Sequence, residues 1–359
     1  MDSDYNLFSL ETNSEPELMA LENCDALENI FKTYGLSKVS RVSELHKGNP
    51  LSHIYLVDTE NESYVLRSIE SEINVELEKQ CDVVSNLSDG LSIRPLRNNG
   101  NSYVASIDGK QWICYPMIAG RQFNGNVSHL SLILRKAIQL GNELHEIHLK
   151  DETTKNLRKI NYEPEKWSQI LVWLNDTPIN SEHEKLQDIL PLALKEMIIN
   201  AAYTIHKCID QSCKLPINYT LVHYDLQHAN VLISDSDSIT FIDLEDIYLS
   251  DNRLSIYHGI FKWVRHSIYC NKSNSHAAIA WLKNDCLEIL REELDESQSL
   301  DDIYNYGIYR TLSDIYNLIE AVINSGKVEY LYDLEKKLSN MLEIFSIFSI
   351  EDVKNKNVH

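Results

Sequence analysis

Apolar and polar residues alternate with a period of two in several short runs of the first third of the chain. Through most of the remainder they recur with a helical period. "SHIYLVD" (Ser52–Asp58) and "SYVLRSI" (Ser63–Ile69) are alternating, β-branched and aromatic, and the turn residues "TENE" between them predict a hairpin. Before it, "ALENIFKTYGL" reads as a helix ended by Gly35 as a C-cap. After it, "INVELEKQCDVVSNL" carries Val75, Leu77, Cys81, Val84 and Leu87 at near-helical spacing. "SIRPL", "NSYVASID" and "QWICYPMI" read as three further strands. This order, strand, strand, helix and more strands, describes a small α+β unit.

Pro116 and Gly120 then interrupt the pattern and mark a connector. Beyond them the chain is mostly helical: "LSLILRKAIQLGNELHEIHL", "EKWSQILVWL", "KLQDILPLALKEMIINAAYTIHKCID" and a series from Leu254 to Phe348. Two short strands, "VLIS" and "SITFID", joined by the turn "DSD", break into this helical part. The pattern divides the chain into a poorly ordered acidic segment (1–25), a sheet-and-helix lobe (26–117) and a helical lobe (118–359). No internal repeat is visible.

Composition narrows the possible partners. The 359 residues carry a formal net charge of −21. Such a surface repels nucleic-acid phosphates and anionic lipid headgroups, and it suits solubility. The seven Cys are scattered with no C-x-x-C, which points to reduced thiols in the cytoplasm. The acidic start has no signal-peptide character, and no apolar run approaches the roughly 20 residues that span a bilayer.

The chemistry gathers in "LVHYDLQHANVLI" (Leu221–Ile233), where His223, Asp225 and Asn230 interrupt an apolar run. Buried polar groups are costly unless paired or used. Asp225 and Asn230 lie in a loop before one strand, and Asp243 ends the next. A hairpin between those strands brings Asn230 and Asp243 together. A carboxylate and an amide oxygen converging in this way suit a hard cation such as Mg²⁺. Asp225, earlier on the loop, is free to face a hydroxyl, as in phosphoryl transfer. Each of the three alone is also what a turn would carry. His145 and His148 are spaced i, i+3, not the i, i+4 of a zinc metalloprotease helix, and no stretch matches a Walker A loop.

The pattern H-x-D-x-x-x-x-N-V-L with I-D-x-E-D resembles the aminoglycoside phosphotransferase and choline kinase family. "LGNELHEIH", "YVLRSI" and "CYPMIAGR" are similar to further parts of that family, so the likeness covers most of residues 30–260. The resemblance implies a protein-kinase-like two-lobe α+β fold, with a small antiparallel N-terminal sheet and helix and a larger helical lobe. It implies ATP and Mg²⁺ as cofactors and a small-molecule hydroxyl as acceptor. Asp225 then matches the catalytic base and His223 a residue bracing its loop. Asn230 and Asp243 match metal ligands, with Glu245 beside them. Arg67 stands where the family neutralises nucleotide phosphates, held by Glu78 or Glu76 on the next helix. The loop around Gly48 would cover the phosphates, and main-chain groups of Tyr115, Met117 and Ile118 would meet the adenine.

This sequence departs from the family in three places: Arg67 for the commoner Lys, Tyr224 where Gly is frequent, and Ser255 near a frequent Asp. Asp251, Glu245 and Asp246 offer negative charge to a cationic acceptor. A modifier of macromolecules and a nucleotide-sensing pseudokinase are the rival readings on the same scaffold.

Overall fold

The computed structural model describes residues 17–19, 25–45, 52–70, 76–160, 162–168, 217–243, 246–270, 275–294, 299–325, 331, 334–339 and 341–342. The chain opens with β1 (Glu17–Met19), α1 (Asp25–Thr33), β2 (Val39–Leu45), β3 (Ser52–Thr59) and β4 (Ser63–Glu70). Then come α2 (Leu77–Ser85), β5 (Val104–Ile107) and β6 (Lys110–Pro116). The strands form one antiparallel sheet in the order β1-β2-β3-β4-β6-β5. β1 lies inside the acidic segment expected to lack order, and it pairs with β2, Leu18 opposite Ser43.

"SIRPL" is not a strand of this sheet. Pro95 has no N–H to give a ladder, and only Ser92 makes an isolated bridge, to Phe241. Gly35 does end α1. It takes φ +69°, and the Leu36 amide reaches back to the Phe31 carbonyl at 2.8 Å in a Schellman closure.

The period of two sorts the sheet's side chains onto two faces. Leu66, Trp112 and Cys114 point to one face and form a core with Leu27, Ile30 and Phe31 of α1. Ile69 and Ile113 point to the other and pack with Leu77 and Cys81 of α2. Arg67 and Tyr115 share the parity of that second face, and Arg67 stands opposite Ile113. The alternation that buries the sheet therefore delivers Arg67 to the α2 side.

The next elements are β7 (Arg121–Gln122), α3 (Leu130–Lys150), β8 (Tyr219–His223), β9 (Val231–Ile233), β10 (Ile239–Phe241) and β11 (Ile247–Asp251). β9 and β10 are the expected hairpin, with Asp237 at φ +58° in its turn, and β7 pairs on the other side of β9. Then come α4 (Asn252–Cys270), α5 (Ser275–Lys283), α6 (Asp285–Leu294) and α7 (Leu300–Ser325). Most of the helices expected between Glu165 and Asp210 lie outside the described residues.

The chain forms two compact units, each built from separated stretches. The first comprises 1–124, 136–158 and 220–249; the second comprises 125–135, 159–219 and 250–359. These limits differ from a single cut after Met117. In the second unit α4 packs on α7, where Gly307 lets the Phe261 ring lie against the helix backbone. Trp167 and Trp263 are fully buried there, as packing residues, and Trp167 meets Tyr309 edge-on at 4.6 Å.

Candidate active site

The site lies within the first unit and is built on two turns, one after β8 and one after β10. They are fastened together by backbone and by one histidine. The Ile242 amide donates to the Asn230 carbonyl at 3.0 Å. His223, almost fully buried, has Nε2 3.2 Å from the Ile242 carbonyl, and its Nδ1 accepts from the Asp225 amide at 3.4 Å. Those partners require a neutral ring protonated at Nε2. A buried histidine interrupts this apolar strand because it ties the Asp225 turn to the residue before Asp243.

Asp225 is half-buried, and its two oxygens differ. Oδ2 accepts from Gln227 Nε2 at 2.7 Å and, more weakly, from Asn230 Nδ2 at 3.4 Å. Asn230 Nδ2 also donates to the Asp225 carbonyl at 2.9 Å, so the amide's orientation is set and its Oδ1 is turned away from that bond. Among the described residues, Asp225 Oδ1 has no hydrogen-bond partner.

Arg67, 176 positions earlier in the chain, reaches Asp243 through its Nη1 in a close ion pair. Asp243 itself sits at φ +63°, in the left-handed region. Asp tolerates that conformation better than most residues, and it recurs at functional turns. Tyr115 completes this wall. Burial holds its hydroxyl well above the ordinary tyrosine value, and both Arg67 and Asp243 act on it electrostatically.

A third carboxylate joins them. Burial, with repulsion from Asp243 and Asp225, pushes the Asp246 carboxyl up to about 7. The Tyr248 hydroxyl donates to Asp246 Oδ1 at 3.1 Å, and the Tyr224 amide donates to the Asp246 carbonyl at 2.8 Å. The bulky Tyr224 ring packs edge-on against Tyr248, with centroids 5.9 Å apart.

Several expectations need correction. Glu78 does not hold Arg67. It is exposed, and its carboxylate accepts from Ser102 Oγ and from the Tyr103 and Val104 amides at 2.6, 3.0 and 2.8 Å, fastening the start of β5. The cause is helix register. Gln80 donates to the Ile247 carbonyl and Glu76 accepts from the Arg158 amide, so positions 76 and 80 share one side of α2 and 78 faces another.

The Met117 amide is not open to adenine either, since it donates to the Ser63 carbonyl at 2.9 Å as the sheet's last rung. Ile118, just past that rung, has no hydrogen-bond partner among the described residues. Asp251 is no acceptor-facing charge. It is buried, binds Arg253 through both carboxylate oxygens and accepts from the Asn218 amide at 2.8 Å. Gly48 and Glu245 lie outside the described residues. His145 and His148 bond to Thr220 and Thr154, each at 3.0 Å.

Gln227 and Tyr248 belong to this cluster, but the sequence reading gave them no part in the chemistry, and it offered Asp246 as negative charge for a cationic acceptor, not as a neighbour of Asp225 and Asp243. Only the proximity of Gln227 to Asp225 in the chain was a visible signal.

The donor set fits a hard divalent cation. Asn230 Oδ1 and a carboxylate oxygen of Asp243, the oxygen donors such a cation takes, lie on adjoining turns.

The model of the phosphotransferase enzyme family matches residues 45–252, which include every element of this cluster; the chain belongs to that family. It is accordingly a phosphotransferase. No curated protein matches it in sequence. Among solved structures it is similar to a spectinomycin phosphotransferase in complex with ADP and spectinomycin. That match has 17% identity and a TM-score of 0.60, covering 89% of this chain and 97% of the other. It is also similar to an amicoumacin kinase in complex with AMP-PNP, Ca²⁺ and Ami, at 15% identity and a TM-score of 0.54, covering 90% and 96% of the two chains. A thermostable mutant of an aminoglycoside phosphotransferase, in a ternary complex with ADP and hygromycin B, aligns at 14% identity and 0.51, covering 88% and 97%. These likenesses establish the shared kinase-like α+β fold.

Proposed function

We propose that the protein transfers the γ-phosphoryl group of ATP to a hydroxyl of a small molecule in a Mg²⁺-dependent reaction. The observation that carries this reading is the convergence of Asp225, Asn230, Asp243 and Arg67 within one compact unit. Asp225 Oδ1 is the free oxygen that would accept the acceptor's proton late in a loose transfer. Arg67 neutralises nucleotide phosphate oxygens, and its fork geometry suits bidentate contact. Asn230 Oδ1 and Asp243 hold the metal, with Glu245 as a further ligand. When bound, Mg²⁺ offsets phosphate charge during transfer. The Ile118 amide and the carbonyls beside it read the adenine edge, and the Gly48 loop covers the phosphates.

The acceptor is an amino alcohol, a sugar, a hydroxy-amino acid or an aminoglycoside. The similar structures support such compounds, because they were determined with spectinomycin, hygromycin B or Ami bound. The reaction is placed in the cytoplasm on the cysteine pattern. No described helix is long and apolar enough to cross a membrane.

The test uses γ-labelled ATP, Mg²⁺, wild type, Asp225→Asn, and a panel of spectinomycin, hygromycin B, amino alcohols and sugars. A labelled small product that falls by about 10²–10⁴-fold in the variant supports the proposal. ATP binding without any labelled product would move the assignment to a nucleotide-sensing module. Label appearing on protein would move it to a macromolecular acceptor.

A further inference from the structure

We infer that Gln227 is a positioning residue that selects which oxygen of Asp225 faces the acceptor. The inference rests on the proposed role of Asp225 and adds a residue to it. A carboxylate free to spin about its last bond presents either oxygen in any direction, and that torsion is broad and weakly held. Here it is not free. Gln227 Nε2 lies 2.7 Å from Oδ2, a short contact for an amide donor, while Asn230 Nδ2 lies at 3.4 Å from the same oxygen. No described donor approaches Oδ1. Two amides on one oxygen and none on the other fix the plane of the group. The oxygen left over is the one able to take a proton.

The two amides are not equivalent. Asn230 uses its stronger bond, at 2.9 Å, on the Asp225 main chain and is assigned to the cation through its own Oδ1. Gln227 is half-buried, and its only hydrogen bond from that amide among the described residues is to Asp225. It sits two residues after Asp225, just before the short helical turn His228–Asn230. A side chain of this length at this position reaches back over the turn to the carboxylate. A shorter one does not span the gap, and a hydroxyl or methyl group would leave Oδ2 to the weak Asn230 contact alone. Orientation of this kind matters to rate, because misplacing a reacting atom by about 1 Å costs on the order of 100-fold.

The test separates positioning from packing with three variants. Gln227→Glu keeps the volume but replaces the donor with a like charge next to Oδ2. Gln227→Ala removes both donor and volume. Gln227→His restores a donor at similar reach. Steady-state kinetics are measured with whichever panel acceptor gives product, and with water as acceptor for ATP hydrolysis. Asp225→Asn serves as the control.

The expected result is a kcat lowered at least about tenfold in both Gln227→Glu and Gln227→Ala. Gln227→His recovers part of that loss, and the KM for ATP and the melting temperature stay close to wild type. Wild-type kcat in Gln227→Glu would overturn the inference, since packing alone would then account for the residue. A parallel rise in the ATP KM would also overturn it, by placing Gln227 on the nucleotide. If Asp225→Asn itself turns over normally, the proposed function fails and this inference falls with it. An Asp225→Asn that is inactive beside a normal Gln227→Ala sinks the inference alone. A readout independent of turnover is the crystal structure of Gln227→Ala. The Asp225 carboxylate plane should rotate there, and an unchanged plane would refute the assignment even if no acceptor is found.

Discussion

At the scale of single residues, the site is a balance of charge around one guanidinium. Asp225 and Asp243 lie close enough to Asp246 to raise its carboxyl, and Arg67 is paired with Asp243. Removing Arg67 therefore takes away the proposed phosphate contact and the counter-charge on Asp243 together. Arg67→Ala should weaken binding of a non-hydrolysable ATP analogue by roughly 10–100-fold, the scale of one or two charged hydrogen bonds. Arg67→Lys should fall between, because it keeps the charge and loses the fork. Calorimetric titration reads both, and an unchanged affinity in Arg67→Ala would dismiss its phosphate role. The spacing of Asp225, Asn230 and Asp243 was legible in the sequence because loop and hairpin lengths dictate which ends meet. The Arg67–Asp243 pair was not, since nothing in the local pattern says that two positions so distant will touch. Asp251 misled for the opposite reason. An acid near a site reads as functional until its Arg253 and Asn218 partners are seen.

At the scale of elements, alternation and helical spacing revealed the β3–β4 hairpin, α1 with its Gly35 stop, α3 and the β9–β10 hairpin. They failed where a rule competes with periodicity. "SIRPL" alternates, yet its proline has no N–H to donate to a ladder. Glu78 and Glu76 lie on one helix, yet only the packed structure shows which way each points. The contact between α4 and α7 gives a direct test of packing. A Cβ at Gly307 would stand 1.8 Å from Phe261 Cε2, so the Phe261 ring or one of the two helices must shift. Gly307→Ala should destabilise the protein by about 1–3 kcal/mol, as overpacking does. Phe261→Ala in the same chain should return part of that loss, because the two changes share one contact. Thermal melts of the single and double variants would show it. Strict additivity would mean that the helices do not meet as described.

At the scale of the whole molecule, individual titratable groups pull stability in opposite directions as the pH falls. In the second unit, burial together with the positive charges of Arg310, Lys262 and Lys337 holds His258 well below the ordinary histidine value of 6.5. The unfolded chain then binds a proton that the folded one refuses, so stability is present above 6.5 and drains away as the pH falls below it. Asp314 acts in the same direction lower down. Burial would raise its carboxyl, but Lys337 and Arg310 keep it well below 3.8, so its contribution is lost only in stronger acid. Asp246 in the first unit opposes them. Its folded value of about 7 exceeds the ordinary 3.8, so stability falls as the pH rises between the two. Melting temperatures of wild type and His258→Leu, taken from pH 7.5 to 5 without divalent metal, should converge on acidification. Parallel curves would exclude His258 as the source. The discontinuity of the units has a further meaning for how the molecule is made. The first unit needs residues as late as Leu249, after two excursions into the second, 125–135 and 159–219. A growing chain emerging from the ribosome thus holds an incomplete first unit until the residues up to Leu249 have been translated. The nascent protein should depend on protection during synthesis more than its size alone would require.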